Sequence, residues 1–136
     1  MEEVQRKVLA ARKHVEEEIL TSKCPRCRTA FLDFVGCCAL QCSHCPCNFC
    51  AWCGADCGDS AAAHRHVAAC PAKPAGADPL YPGRREVFER AQAKHRATAL
   101  EEFLRGLEER IREALLREMQ GGLRALYAEV LLKFGA

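Results

Sequence analysis

The side chains able to do chemistry are gathered into one stretch. Eleven cysteines fall between Cys24 and Cys70, and neither flank contributes any. Cysteines at that density serve either disulfide frameworks or metal sites. Their number is odd, and CxxC pairs recur among them. Met1 to Ile19 is charged every few positions and carries none of the apolar run of a secretory leader. These features point to reduced thiolates that bind metal, in the cytosol or the nucleus.

Cys24-Pro-Arg-Cys27 and Cys42-Ser-His-Cys45 are separated by fourteen residues. A CxxC turn places two sulfurs on one knuckle, where backbone N–H groups stabilise their charge. Two knuckles brought together make a tetrahedral cage of four sulfurs suited to Zn2+. The interval from Arg28 to Gln41 is long enough for a hairpin, with Phe31, Phe34 and Val35 as apolar cover. The first predicted cage is therefore Cys24, Cys27, Cys42 and Cys45.

A third knuckle, Cys50-Ala-Trp-Cys53, needs two more ligands from among Cys57, His64, His66 and Cys70. Asp59-Ser60 reads as a helix N-cap ahead of Ala61 to Ala69. On that helix His66 and Cys70 leave the same face one turn apart. The second predicted cage is Cys50, Cys53, His66 and Cys70, so two Zn2+ ions are expected as cofactors. Cys57 with His64 is the alternative pair, although His64 points about 160° away from His66 on a regular helix. Cys37, Cys38 and Cys47 stand outside both cages. Cys47 reads as a packed small side chain, and Phe49 and Trp52 as core plates over the metal.

Around this block the 136-residue chain changes composition twice. The reading is an N-terminal helix over 1–22, a two-zinc domain over 23–70, a Pro/Gly linker over 71–84 and a helical region over 85–136. The fold class is a small zinc-stabilised domain of short hairpins flanked by α-helices, α-rich overall. In the first helix Val4, Val8, Ala11 (or Leu9), Val15 and Ile19 recur at helical spacing. Four prolines and two glycines between Pro71 and Gly83 forbid regular helix. A long helix is expected from about Arg85 to Met119, interrupted by Gly121-Gly122, with a shorter one from Leu123 to Phe134.

In the long segment Ala93, Ala97, Leu100, Leu104, Leu107, Ile111 and Ala114 form a heptad-like seam. Phe88, Phe103, Leu115 and Met119 widen it. Such a helix would be about 50 Å long. Two readings stay open: it folds back with the shorter helices as a bundle, or the 85–119 seam serves self-association or a protein partner. No apolar run approaches the ~20 residues that cross a membrane. The net charge is +2, with both signs alternating along the flanks, which gives no electrostatic footprint for nucleic acid or an anionic membrane. A nucleic-acid reading would lean on Arg26, Arg28, Trp52 and Arg65.

The string Cys24-x2-Cys27-x9-Cys37-x4-Cys42-x2-Cys45-x4-Cys50-x2-Cys53 resembles the cysteine modules of RING-between-RING ubiquitin ligases. It is similar both to their catalytic second RING and to the in-between-RING module. Cys-Pro-Arg-Cys, Gly36-Cys37 and Phe49-Cys50-Ala-Trp-Cys53-Gly54 carry the likeness, over about a third of the chain. The resemblance implies a two-zinc fold of short hairpins. In the catalytic version it implies that Cys37 accepts ubiquitin as a thioester, with ubiquitin or a ubiquitin-charged conjugating enzyme as partner. Cys38 has no counterpart. Ala39 stands where many catalytic modules carry a histidine base, and no first RING is present to recruit the conjugating enzyme. A thiol needs a basic or cationic neighbour to ionise readily. The expectation is thus a piece of a larger ligase, in which Cys37 is a weak acceptor by itself. The alternative is a non-catalytic zinc domain that mediates protein binding. Mild alkylation is expected to reach Cys37 or Cys38 before any other cysteine.

Overall fold

The computed structural model describes residues 2–30 and 37–135, apart from the side chains of 125 and 126. The predicted cover residues Phe31, Phe34 and Val35, and Gly36 ahead of Cys37, lie outside the described residues. The element order is α1 (Glu2–His14) running into a π-helical turn (Val15–Ile19), then β1 (Ala39–Gln41), β2 (Asn48–Cys50), β3 (Asp56–Gly58), α2 (Ser60–Ala69), α3 (Arg85–Arg105) and α4 (Glu109–Leu132). The chain is helix-rich with one small sheet. It divides into two compact units, Met1–Thr21 with Arg96–Ala136, and Ser22–His95. The division falls inside α3.

The first unit is helical. Val8, Ala11, Val15 and Ile19 are buried, so Ala11 takes the inner position and Leu9 is exposed. They meet Leu100, Leu104, Ile111, Leu115, Leu116, Leu123, Val130 and Leu131 in one apolar core. Glu118 accepts from Arg12, and Glu101 accepts from Lys133, so ion pairs rim this core.

The break between the two C-terminal helices differs from the sequence expectation. No single helix covers 85–119: α3 ends at Arg105 and α4 starts at Glu109. Glu108 adopts extended backbone (φ −56°, ψ 138°). The Gly106 N–H bonds back to the Glu102 and Phe103 carbonyls. The Arg112 guanidinium donates to the Leu104 and Leu107 carbonyls, 3.4 Å each, which satisfies groups that a helix end otherwise leaves without partners. Turning here brings Leu100 and Leu104 into one core with Ile111, Leu115 and Leu116. A straight helix would have strung these side chains along about 24 Å. The Gly121-Gly122 pair, expected to break the helix, is instead carried through it, and α4 kinks later, at Tyr127 (φ −136°, ψ 39°). Burial of Leu123, Val130 and Leu131 outweighs the weak helix propensity of two glycines.

The second unit is built on the sheet. β1 and β2 are antiparallel with Ala39 opposite Cys50, Leu40 opposite Phe49 and Gln41 opposite Asn48. β3 adds to the other edge of β2, with a bulge beside Asn48 and Phe49. Asp59 caps α2, its carboxylate accepting from the Ala62 N–H at 2.8 Å. The proline-rich segment lies along this unit: the Leu80 carbonyl accepts from the Cys38 N–H, and Asp78 Oδ1 accepts from the N–H groups of Leu80 and Tyr81. The first half of α3 covers the same unit. Phe88 packs against Trp52 with ring centroids 5.0 Å apart, and Gln92 donates to the Ala51 carbonyl at 2.7 Å.

Candidate metal centres

Each knuckle is closed by its own backbone. In the first, the Arg28 N–H returns to the Cys24 carbonyl at 3.0 Å; in the third, the Gly54 N–H returns to the Cys50 carbonyl at 2.8 Å. Both closing residues take the left-handed conformation, φ 68° at Arg28 and 76° at Gly54. The middle knuckle cannot close in this way, because Pro46 has no N–H. It is instead the turn of the β1–β2 hairpin, tied by the Cys42 N–H to the Cys47 carbonyl at 2.9 Å.

These turns aim amide N–H groups at sulfur. Cys24 faces the N–H of Arg26 and of Cys27, and Cys50 those of Trp52 and Cys53. The His44 N–H lies 3.4 Å from Cys42 Sγ. The second sulfur of each knuckle faces the N–H two residues on, from Thr29, Cys47 and Ala55 respectively. Cys70, which closes α2, faces the Ala72 N–H. All seven cysteines assigned to the cages by spacing thus have a backbone N–H aimed at sulfur.

The eight residues predicted as ligands fall into two groups of four: Cys24, Cys27, Cys42 and Cys45, and Cys50, Cys53, His66 and Cys70. Within each group the ligand atoms all lie within 4.8 Å of one another. Cys24 and Cys45 sulfurs are 3.6 Å apart, as are those of Cys27 and Cys42. A tetrahedron with metal–sulfur arms of about 2.3 Å has edges of about 3.8 Å, whereas a disulfide brings sulfurs to about 2.05 Å. All eleven cysteines are free. Cys53 Sγ lies 3.2 Å from His66 Nε2. The first donor set is thus four sulfurs and the second three sulfurs with one imidazole nitrogen, each complete with four protein ligands.

No family model, curated protein or solved structure matches this chain.

Thiols within each cage shift one another in opposite directions. The Thr29 hydroxyl and its N–H hold the Cys27 thiol down, to about 6. Cys53 is held down to about 4, first by the Cys50 thiol and then by the Ala55 N–H, His66 and Cys70. Their neighbours move the other way. The Cys47 N–H favours the Cys45 thiolate, yet desolvation and the adjoining thiols push this group up to about 12. Cys50 is raised because it gives its proton's hydrogen bond to Cys53 and because it is buried. Four sulfurs so close together do not all ionise unaided, and a divalent cation among them reverses that balance.

The alternative pair lies elsewhere. His64 donates from Nδ1 to its own Ser60 carbonyl at 2.6 Å and stays exposed. The Cys57 thiol donates to the Ala55 carbonyl at 3.4 Å. Cys47 is fully buried with Cys24 and Phe49. Trp52 is 1% exposed and sits in the second apolar cluster with Cys50, Val67 and Cys70, so its ring is closed to stacking on a base.

Cys37 is half-buried and its sulfur accepts the Ala39 N–H at 3.4 Å. Of the two thiols expected to react first, Cys38 is 0% exposed, and burial, with Cys37 and Asp78 nearby, pushes its thiol up to about 12. That leaves Cys37 as the member of the pair open to alkylation. Two contributors to the site escaped the sequence reading. Arg26, inside the first knuckle, forks onto Asp56 of β3 with two contacts of 3.1 Å. Phe88 and Gln92 cover the third knuckle rather than the helical core. Their i, i+4 spacing was the available signal, masked by the longer apolar pattern that follows.

Proposed function

We propose that the chain is a zinc-binding module in which two Zn2+ ions hold the fold of the second unit, and that its work is to present that folded surface to a protein partner. The observation that carries this reading is the pair of four-ligand groups, one all-sulfur and one with a single histidine. Four protein ligands complete a tetrahedral site and leave no position for water or substrate, which is the arrangement of structural rather than catalytic zinc. Thiolate and imidazole donors in this geometry suit zinc among the common divalent ions. Metal analysis of the purified chain tests it: two zinc ions per chain support the reading, and a chain that folds without them removes it.

A second reading has one observation in its favour. Four cysteines lie outside the cages; Cys38 and Cys47 are buried and Cys57 donates to a backbone carbonyl, while Cys37 remains half-buried. Cys37 is also the position at which the resemblance to RING-between-RING ligases implies a ubiquitin acceptor. On that reading the chain is a piece of a larger ligase. The Cys37 sulfur takes the backbone N–H of Ala39. Incubation with a ubiquitin-charged conjugating enzyme, followed by a non-reducing gel, separates the readings. A thioester lost in Cys37→Ser supports the ligase piece, and no thioester leaves the structural module.

A further inference from the structure

We propose that the two cages bind metal as a coupled pair: filling the Cys24–Cys27–Cys42–Cys45 cage raises the affinity of the Cys50–Cys53–His66–Cys70 cage, through the sheet they share. This rests on the metal-binding reading above and concerns how its two sites communicate.

The connection is short and continuous. Cys42 and Cys45 form the turn between β1 and β2, and β2 runs from that turn directly into Cys50, the first ligand of the other cage. Adjacent residues of β2 face different cages. Phe49 is buried with Cys24 and Cys47, whereas Cys50 is buried with Trp52, Val67 and Cys70. Leu40, opposite Phe49, packs against both clusters. The Arg26–Asp56 fork adds a second bridge, from inside the first knuckle to the strand that follows the third. Asp56 in turn sits opposite Phe49.

Strands of three residues cannot hold a register by themselves. A one-residue slip in β2 would exchange the faces on which Phe49 and Cys50 lie. Metal in the first cage clamps the β1–β2 turn and so fixes that register. With the turn loose, the second cage must order β2 as part of binding its own metal, and its affinity falls accordingly. By linkage, metal in the second cage must favour the first by the same factor. Couplings of this kind typically span about 5- to 150-fold. The Arg26–Asp56 pair is partly exposed on both sides, so its share is the smaller one, about two- to fivefold.

The test is a cobalt(II) titration of the full chain against a competing chelator. An all-sulfur cage and a cage with one histidine give different ligand-field spectra, so the filling of each is read separately. In Cys42→Ser/Cys45→Ser the second cage keeps all its ligands, and its cobalt affinity is expected to fall at least tenfold. Cys27→Ser removes one exposed ligand and leaves the hairpin turn intact, so it guards against simple misfolding. Its expected effect on the second cage is a smaller drop in the same direction. His66→Ala should weaken the first cage by a matching factor, and Asp56→Ala should lower the coupling two- to fivefold. Second-cage affinity unchanged in both first-cage variants overturns the coupling while leaving two metal sites. A wild-type chain that takes up fewer than two cobalt ions overturns the metal reading itself.

Discussion

Arg28 and Gly54 hold the same place in two knuckles, and the chain meets the same backbone demand with unequal residues. A left-handed conformation costs a non-glycine residue about 1–2 kcal/mol, and glycine almost nothing. Among the described residues, and apart from its chain neighbours, no atom lies within 4 Å of where a Gly54 Cβ would sit, so Gly54→Ala should lose about 1 kcal/mol through conformation alone. Arg28→Gly should lose none. Thermal unfolding of the metal-loaded chain checks both. The ligands themselves make a sharper comparison. His66→Ala should cost the chain one metal ion by native mass spectrometry, whereas His64→Ala should cost none. The cage residues were legible in the sequence because CxxC turns and an i, i+4 pair on a capped helix are local geometry. Arg26–Asp56 was not, because it depends on where β3 lies. Asp56-Cys57-Gly58 is a poor strand former by composition and pairs only because Phe49 and the knuckles place it there.

The helices show how burial overrides local punctuation. Gly121-Gly122 is the stronger breaking signal, yet the chain turns at Gly106 to Glu108, where a reversal gathers the leucines of α3 and α4 into one core. Helical glycines with open space around them are an opportunity for stabilisation. Among the described residues, and apart from the local helix backbone, nothing lies within 4 Å of where a Cβ on either residue would sit. Gly121→Ala and Gly122→Ala should each raise stability by about 0.5–1 kcal/mol, seen as a higher melting temperature of the helical signal. A loss in either variant would mean that the pair is not helical. No helix runs through Pro71 to Gly83, and the composition of this stretch gives no hint that Asp78 caps a turn and hands the Leu80 carbonyl to Cys38. Contacts of that kind are tertiary and leave no periodic trace.

The two units are built from different side chains. The core of Met1–Thr21 with Arg96–Ala136 contains no cysteine and is made mostly of aliphatic side chains from α1, the π-helical turn, α3 and α4, with Tyr127 among them. The other unit has small apolar clusters around Cys24, Phe49, Trp52 and Val67, too few to hold three-residue strands alone. Structural zinc supplies on the order of 10–16 kcal/mol in small peptides. Chelation should therefore unfold residues of the second unit while much of the helical circular-dichroism signal persists. Leu115→Ala should do the reverse, costing about 2–5 kcal/mol in the helical unit with the metal content unchanged. Among the described residues no helix is long and apolar enough to cross a membrane.

The proposal that metal holds the second unit together stands or falls on the number of ions each folded chain carries. Native mass spectrometry, with metal analysis of the same sample, should find two zinc ions and eleven reduced cysteines per chain. A well-folded chain with fewer than two, or with disulfides among Cys24, Cys27, Cys42, Cys45, Cys50, Cys53 and Cys70, would contradict it.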